Sequence, residues 1–96
     1  MKYANGDIYE GEWFYNFRHG KGIMRWANGA VYDGEWSNDE RHGRGTHGNE
    51  HGDFFVGWWK NGKMHVKVIL TPANEEPYQG NWKKGTLKRK FAPKEI

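Results

Sequence analysis

Histidine is the residue type in this sequence that most readily suggests chemistry. His42, His47 and His51 lie close together, and imidazole nitrogens are common zinc ligands. The chain has no cysteine, and no carboxylate stands at a spacing that would complete a tetrahedral set. Catalysis by a histidine would also need a positioned nucleophile or a paired acid, and none can be named. We therefore predict that the chain holds no metal and no cofactor, and that it is not an enzyme.

Two further patterns resemble sites of known chemistry. Segment 43–48 reads Gly-Arg-Gly-Thr-His-Gly and satisfies the G-x-G-x-x-G pattern of dinucleotide sites. Such a site needs a helix after the motif, and no helical periodicity follows, so we predict a structural turn. Four acids resemble the paired carboxylates of a catalytic site: Glu10, Glu12, Asp33 and Glu35. They recur with a repeat, near the basic residues Lys21 and Arg44, and we predict solvated pairing across neighbouring strands.

A repeat of 23 residues organises the chain. In each copy a large ring is followed two positions later by glycine, and two positions after that by tryptophan. The framework residues are Tyr9, Gly11, Trp13, Tyr32, Gly34, Trp36, Phe55, Gly57, Trp59, Tyr78, Gly80 and Trp82. We predict one domain over residues 1–96, with units near 4–26, 27–49, 50–72 and 73–91 and a basic tail over 83–96.

Each unit has the pattern of a β-hairpin. Ring, glycine and tryptophan occupy alternate positions, so a strand would place them on one face and the intervening acids on the other. A loop of five residues after each tryptophan is predicted to reverse the chain, and Asn28-Gly29 indicates a two-residue turn into the next unit. The predicted fold is all-β, an elongated single antiparallel meander of tandem hairpins, roughly 40 Å long at about 4.8 Å per strand.

The sequence begins within a unit. Residues 1–6 align with residues 24–29, so the first residues correspond to the second strand of a preceding copy. An exposed strand edge invites pairing with other chains. We therefore predict that the N-terminal edge is paired with another chain or a further repeat.

The motif Tyr-Glu-Gly-Glu-Trp over residues 9–13, followed by His-Gly-Lys-Gly over 19–22, resembles a MORN repeat. Residues 32–36 and 42–45 carry the same pattern, and the resemblance extends from residue 4 to about residue 85. Units three and four keep the framework but lose the acidic columns and the His-Gly-x-Gly step. The resemblance implies an elongated sheet that serves as a scaffold or protein-interaction module, as a small structural subunit of a larger cytoskeletal, ciliary or membrane-associated assembly. Phosphoinositide binding is also attributed to this family.

Composition and the pattern of apolar residues indicate where in the cell the chain is expected. The longest aliphatic run is only residues 68–70, whereas a transmembrane helix needs about 20 apolar residues. Residues 1–6 lack the apolar segment of a signal peptide. Absence of cysteine fits a reducing compartment. The expected location is intracellular: cytoplasmic, cytoskeletal or ciliary, or peripheral to a membrane.

Aromatic residues that depart from their repeat columns are the best candidates for a binding site. Phe14, Tyr15 and Phe17 occupy the first hairpin loop, where other copies have Ser37-Asn38 or Lys60-Asn61. Trp58 replaces an acid on the face opposite the rings. Exposed aromatic clusters are typical of interfaces, so we predict that these four residues bind a protein partner. Packing of the same rings onto the chain's own sheet is the alternative.

Charge is concentrated at the C-terminal end. Residues 83–96 hold six basic side chains against one acidic one, a net charge of +5, whereas the remaining residues have a net charge of −2. The candidate anion-binding residues are Lys83, Lys84, Lys88, Arg89 and Lys90. Three interpretations of this basic segment stay open: it binds an acidic phospholipid surface, it binds an acidic protein partner, or it is a solvated tail without a ligand. Nucleic acid is not expected, because the sheet itself is acidic. A further alternative is a fragment of a longer array attached to an enzyme domain.

Overall fold

The computed structural model describes residues 1–91 and measures 42 × 24 × 17 Å. Its strands are β1 (Ile8–Phe14), β2 (Phe17–Arg25), β3 (Val31–Ser37), β4 (Glu40–Gly48), β5 (Phe54–Lys60), β6 (Lys63–Thr71), β7 (Tyr78–Lys83) and β8 (Thr86–Phe91). They form one antiparallel sheet in chain order, and the described residues contain no helix. The predicted all-β meander is confirmed. Lys94 of the predicted basic tail lies outside the described residues.

The turn inside each hairpin is shorter than the sequence suggested. Two residues with positive φ connect the strands in every unit, beginning with Tyr15 (φ 48°) and Asn16 (φ 67°). This is the type I′ geometry, whose twist matches that of the flanking strands. The predicted five-residue loop is therefore wrong. Phe14 and Phe17 are paired strand residues rather than loop residues.

The connection between units is longer than predicted. Trp26 N–H donates to Ala30 O (2.9 Å) and Gly29 N–H donates to Trp26 O (3.0 Å), which closes a three-residue loop. Gly29 has a φ of 97°, the left-handed conformation that completes such a loop after a type I turn. The predicted two-residue turn at Asn28-Gly29 is wrong for this reason.

The His-Gly step is a bulge in the second strand of the hairpin. Gly11 pairs with Gly22 and Trp13 pairs with Arg18, so β2 contains two more residues than β1 between these pairs. Gly20 adopts the left-handed φ of 73° within this extra length. Segment 43–48 accordingly lies in β4, with Gly43 at the equivalent bulge. The structural turn predicted for that segment is wrong.

Two of the repeated acids bond to backbone groups at this bulge. The Glu12 carboxylate accepts the Lys21 backbone N–H at 2.8 Å, and the Glu35 carboxylate accepts that of Arg44 at the same distance. The acids thus satisfy amides that the bulge removes from the strand ladder. The prediction of simple charge pairing with the basic side chains missed this role.

Unit three lacks both features that stabilise the bulge. Trp58 stands where Glu12 and Glu35 stand in the earlier units, and Val66 stands where they have glycine. Val66 nevertheless keeps the left-handed conformation, with a φ of 61°. A β-branched residue is strained there, because its Cβ approaches the backbone carbonyl.

Val66→Gly is therefore expected to raise the free energy of unfolding by about 1 kcal/mol. Strain of roughly 1–3 kcal/mol exceeds the extra entropy of a glycine in the unfolded chain, about 0.5–1 kcal/mol. Urea unfolding monitored by tryptophan fluorescence measures the difference. Gly43→Val is the matched reverse change, and it should destabilise. A Val66→Gly variant less stable than the parent would contradict the strained conformation.

The fourth hairpin has a different register. Gly80 pairs with Lys90, whereas the equivalent glycine of unit one pairs with the residue in the Phe91 column. Because side chains alternate between faces, a shift of one residue moves each of them to the opposite face. Phe91 therefore lies opposite Gln79, on the face away from the framework rings.

Residues 1–3 lie beside the start of β1. Lys2 pairs with Ile8, as Arg25 pairs with Val31 in the next unit, so the predicted alignment of residues 1–6 with 24–29 corresponds to a real structural equivalence. Within residues 1–91, the edge of β1 beyond Tyr9 has no neighbouring strand. Pairing of that edge with another chain or a further repeat remains a prediction.

Candidate protein-interaction surfaces

Four framework rings are buried in the core and do not form a binding face: Tyr9, Tyr32, Trp36 and Trp59. Tyr9 and Tyr32 have no exposed surface, and the exposed fraction of Trp36 is 4%. The Trp36 ring lies edge-on between the two tyrosines, with centroid distances of 5.6 and 5.0 Å, and its indole N–H donates to Gly22 O at 3.0 Å. Each internal tryptophan thus connects its own unit to the preceding one. Burial leaves these rings inaccessible to a ligand.

Arginine side chains cover the outside of this ring layer. The Arg18 guanidinium lies 4.8 Å from the Trp36 ring and bonds to the Asp39 carboxylate at 3.0 Å. Arg41 lies 4.8 Å from Trp59 in the same way. Stacking of this kind favours planar guanidinium groups. These arginines complete the core and are not free for an anionic ligand.

Each buried tyrosine is matched to a glycine on the next strand. The Tyr32 hydroxyl donates to Glu35 O at 2.9 Å and lies directly over Gly45, where a Cβ atom would overlap it. Burial raises the pKa of this hydroxyl above its ordinary value. In unit three the ring is Phe55, which lacks the hydroxyl, and Val68, which is fully buried, stands in the column of Gly45 and pairs with Gly57. The missing hydroxyl explains why unit three has valine in this column, a change that has no evident reason in the sequence pattern alone.

Gly45→Ala is expected to lower the free energy of unfolding by about 1–3 kcal/mol, as overpacking of a core usually does. Combined with Tyr32→Phe, the same substitution should cost at least about 1 kcal/mol less, because a ring without the hydrogen bond to Glu35 O can shift away from the added methyl group. A double-mutant cycle by urea unfolding measures this coupling. Strict additivity of the two changes would contradict the proposed steric match.

The first hairpin ends in a cluster of exposed rings, which we call the aromatic tip: Phe14, Tyr15 and Phe17. Their exposed fractions are 55%, 81% and 46%. The Phe14 ring contacts Tyr15 edge-on at 4.5 Å and lies 5.4 Å from His19. The rings therefore pack mainly on one another and present a large apolar surface to solvent.

Tyr15 is held in an unfavourable backbone conformation. Its φ of 48° is that of Asn38 and Asn61, which occupy the same turn position in units two and three. Asparagine tolerates this conformation far better than an aromatic residue. The turn thus keeps an exposed ring at some expense of local stability, as is common at functional sites.

Trp58 lies in a second apolar area, on the face opposite the framework. It is exposed together with its neighbours Phe54, Val56 and Ile69, and Val56 pairs with Ile69 across β5 and β6. The Arg44 guanidinium lies 5.6 Å from the Trp58 ring. Comparison of the repeat units with one another identified only Trp58 as a residue of this area. Val56 carried the same signal, because it also replaces an acid of units one and two.

The basic residues of the C-terminal segment point in different directions. Lys90 lies 4.1 Å from the Tyr78 ring, on the framework face, whereas Arg89 lies 4.6 Å from Phe91 on the opposite face. Lys84 is at the turn, next to Lys83 at the end of β7. The five predicted residues therefore do not form one anion-binding cluster.

The three histidines that suggested a metal site occupy separate environments. His47 lies among the core rings, 5.5 Å from Trp26, and its pKa is lowered by burial and by the nearby Arg41. His51 is exposed in the following loop and contacts Glu50, whereas His42 borders a surface depression beside Trp58. Residues 1–91 contain no group of three or more potential ligands placed to hold a metal ion. Nor does this part of the chain include a helix that could cross a bilayer.

Comparison with known proteins agrees with this architecture. A family model described as MORN repeat matches residues 9–31, 32–49, 55–67 and 78–87, about two thirds of the chain. Each matched segment begins at a framework ring, and each spans strands of one hairpin. A search of curated proteins finds no match. The chain belongs to the MORN-repeat family.

Proposed function

We propose that this chain is a non-enzymatic scaffold that binds a protein partner through the aromatic tip, with Trp58 as a secondary contact. The observation that carries the proposal is the aromatic tip itself, three exposed rings on a strained turn. Rings of this size are the usual energetic centres of protein interfaces. Units two and three, with the same turn geometry, have polar side chains there, so the repeat does not require the rings.

Family membership supports an interaction role, since MORN repeats are commonly modules for protein or membrane contact. We further propose that the chain is a small structural subunit of an intracellular assembly, whether cytoskeletal, ciliary or membrane-associated. The rigid sheet would position the tip, and the buried framework would resist its displacement. A longer native array beside an enzyme domain is a separate possibility, and the mass of the native protein distinguishes it.

Quantitative affinity capture tests the proposal. The bait is the whole tagged chain, and the comparison variant carries the unit-two residues at the tip: Phe14→Ser, Tyr15→Asn and Phe17→Glu. A matched control variant carries Lys60→Ser, which changes the equivalent tip of unit three. The same proteins should be recovered with the parent and the control, and lost with the tip variant. Recovery unchanged by the tip variant would refute the proposed site.

A peripheral membrane role is the second candidate, and one observation favours it. A depression of about 590 Å³ at the tips of hairpins three and four is lined by several cations, including Lys60, Lys63, Lys83 and Lys84. Such a cluster could attract acidic phospholipid headgroups. Sedimentation with vesicles containing phosphoinositide tests it, with neutral vesicles as the control. Binding should be lost when Lys83 and Lys84 are replaced by glutamine.

A further inference from the structure

The face opposite the framework rings, which we call the outer face, has two chemically different halves. Residues that pair directly across neighbouring strands point to the same side of a sheet. The register therefore assigns each strand residue to the outer face or to the framework face. We call the part formed by β1–β4 the acidic half and the part formed by β5–β8 the basic half.

The acidic half carries more carboxylates than cations. Its outward acids are Glu10, Glu12, Asp33, Glu35 and Glu40, and its outward cations are Lys21, Arg25 and Arg44. Its formal charge is therefore −2. Glu10 and Asp33 are exposed strand residues, available to a partner surface.

The basic half has the opposite character. Its outward cations are Lys60, Lys63, Lys67, Lys83 and Arg89, and its outward apolar residues are Phe54, Val56, Trp58, Ile69 and Phe91. Strands β5–β8, as far as Phe91, contain neither Asp nor Glu. A surface that combines five cations with exposed rings is complementary to an acidic surface, and the same molecule presents one on its other half.

We propose that two copies of this chain associate outer face to outer face, so that the acidic half of each copy covers the basic half of the other. A two-fold axis parallel to the strands produces this arrangement, because it reverses the order of the hairpins while keeping strands nearly aligned. Closed two-fold dimers of this kind are self-complementary. Aligned packing of two sheets is also a common way to cover sheet faces.

The outer face is large enough for a stable dimer. A sheet with extents of 42 and 24 Å presents about 1,000 Å² on one side, compared with about 800 Å² per partner in a standard interface. The apolar residues of the basic half would provide the desolvated centre, and the charges would fix the relative orientation. Parallel stacking of the copies would place basic half against basic half and is disfavoured.

A flat acidic membrane fits the same face less well. The acidic half would lie against the headgroups whenever the basic half did, and its carboxylates would be repelled. A second copy satisfies both halves at once. This inference goes beyond the proposed partner binding, since it rests on the charges of the outer face. Phe14 and Phe17 pair with each other at the end of the same face, so they would lie at the rim of the dimer.

Sedimentation equilibrium of charge-reversed variants tests the dimer. One variant carries Glu10→Lys and Asp33→Lys, and the other carries Lys67→Glu and Arg89→Glu. The parent chain should have twice the monomer mass at micromolar concentration. Each variant should dissociate at least about tenfold more readily, because like charges then face each other at the substituted positions in both contacts of the dimer. An equimolar mixture of the two variants should restore a one-to-one dimer.

Outcomes that contradict the dimer are distinguished by the mass that sedimentation gives for the parent chain and its variants. A parent chain that stays monomeric at every concentration, or variants that dimerise as well as the parent, would overturn the proposal. A mixture that fails to associate would do the same, even if acidic vesicles bind the parent monomer. Circular dichroism verifies the fold of each variant. If a reversal unfolds the chain, the neutral pair Lys67→Gln and Arg89→Gln should still weaken the dimer, and an unchanged mass would overturn the proposal. The mass of the charge-reversed variants and partner capture by the tip variant are separate measurements, so the two proposals can fail independently.

Discussion

Replacement of Trp36 by alanine is expected to lower the free energy of unfolding by about 3–5 kcal/mol, whereas Trp13→Ala should cost only about 1–2 kcal/mol. The two tryptophans occupy the same position in consecutive units. Domains of this size are stable by only about 5–15 kcal/mol, so the Trp36 variant should be marginally folded and the Trp13 variant well folded.

The difference arises from how each ring is surrounded. Trp36 is 4% exposed, contacts tyrosines of two units, donates a hydrogen bond to Gly22 O and lies under Arg18. Trp13 is 40% exposed and lies 4.9 Å from Tyr9, the tyrosine of its own unit. In a repeat array the stability of each unit and of each interface between units adds separately. Trp36 contributes to its own unit and to the interface with unit one, whereas Trp13 packs on the tyrosine of its own unit.

Urea unfolding of both variants measures this difference, with Trp36→Phe as an intermediate that keeps a ring but loses the indole N–H. Equal losses for Trp13→Ala and Trp36→Ala would show that contacts between units contribute little. The array would then behave as independent hairpins, contrary to the packing of Trp36 between two units.

The largest expected effect on binding comes from the aromatic tip. Exchange of Phe14, Tyr15 and Phe17 for their unit-two counterparts should weaken binding of a purified partner by more than about 100-fold, because a buried interface ring contributes about 2 kcal/mol or more. The fold of this variant should remain intact. Replacement of Tyr15 by asparagine should relieve backbone strain, because asparagine tolerates the left-handed conformation better. Fluorescence anisotropy or calorimetry with the captured partner measures the affinity.

The basic segment provides the comparison. Neutralising Lys83, Lys84, Lys88, Arg89 and Lys90 should weaken binding less than about tenfold at physiological salt, since an exposed rim charge contributes under about 1 kcal/mol and acts mainly on the association rate. The association rate should lose its salt dependence in this variant. If neutralisation has the greater effect on affinity, the interaction is electrostatic and the acidic-phospholipid or acidic-partner proposal is the better one.

The sequence determined the repeat, the class of fold and the face on which the framework rings lie. A period of 23 residues with alternating positions inside each unit is enough to predict hairpins stacked in chain order, because both the strand period and the repeat period are local properties. Departures from the columns also identified the aromatic tip and Trp58. Phe14 and Tyr15 stand out simply because units two and three have small or polar residues there.

Tertiary structure decided the features that depend on pairing between strands. The two-residue turn at Tyr15-Asn16, the burial of Val68 opposite Gly57 and the shifted register at Phe91 each depend on which residue faces which across the sheet. The division of the outer face into acidic and basic halves has the same origin. Cross-strand pairing joins residues far apart in sequence, and a bulge or a one-residue shift changes the exposed face without changing the local pattern.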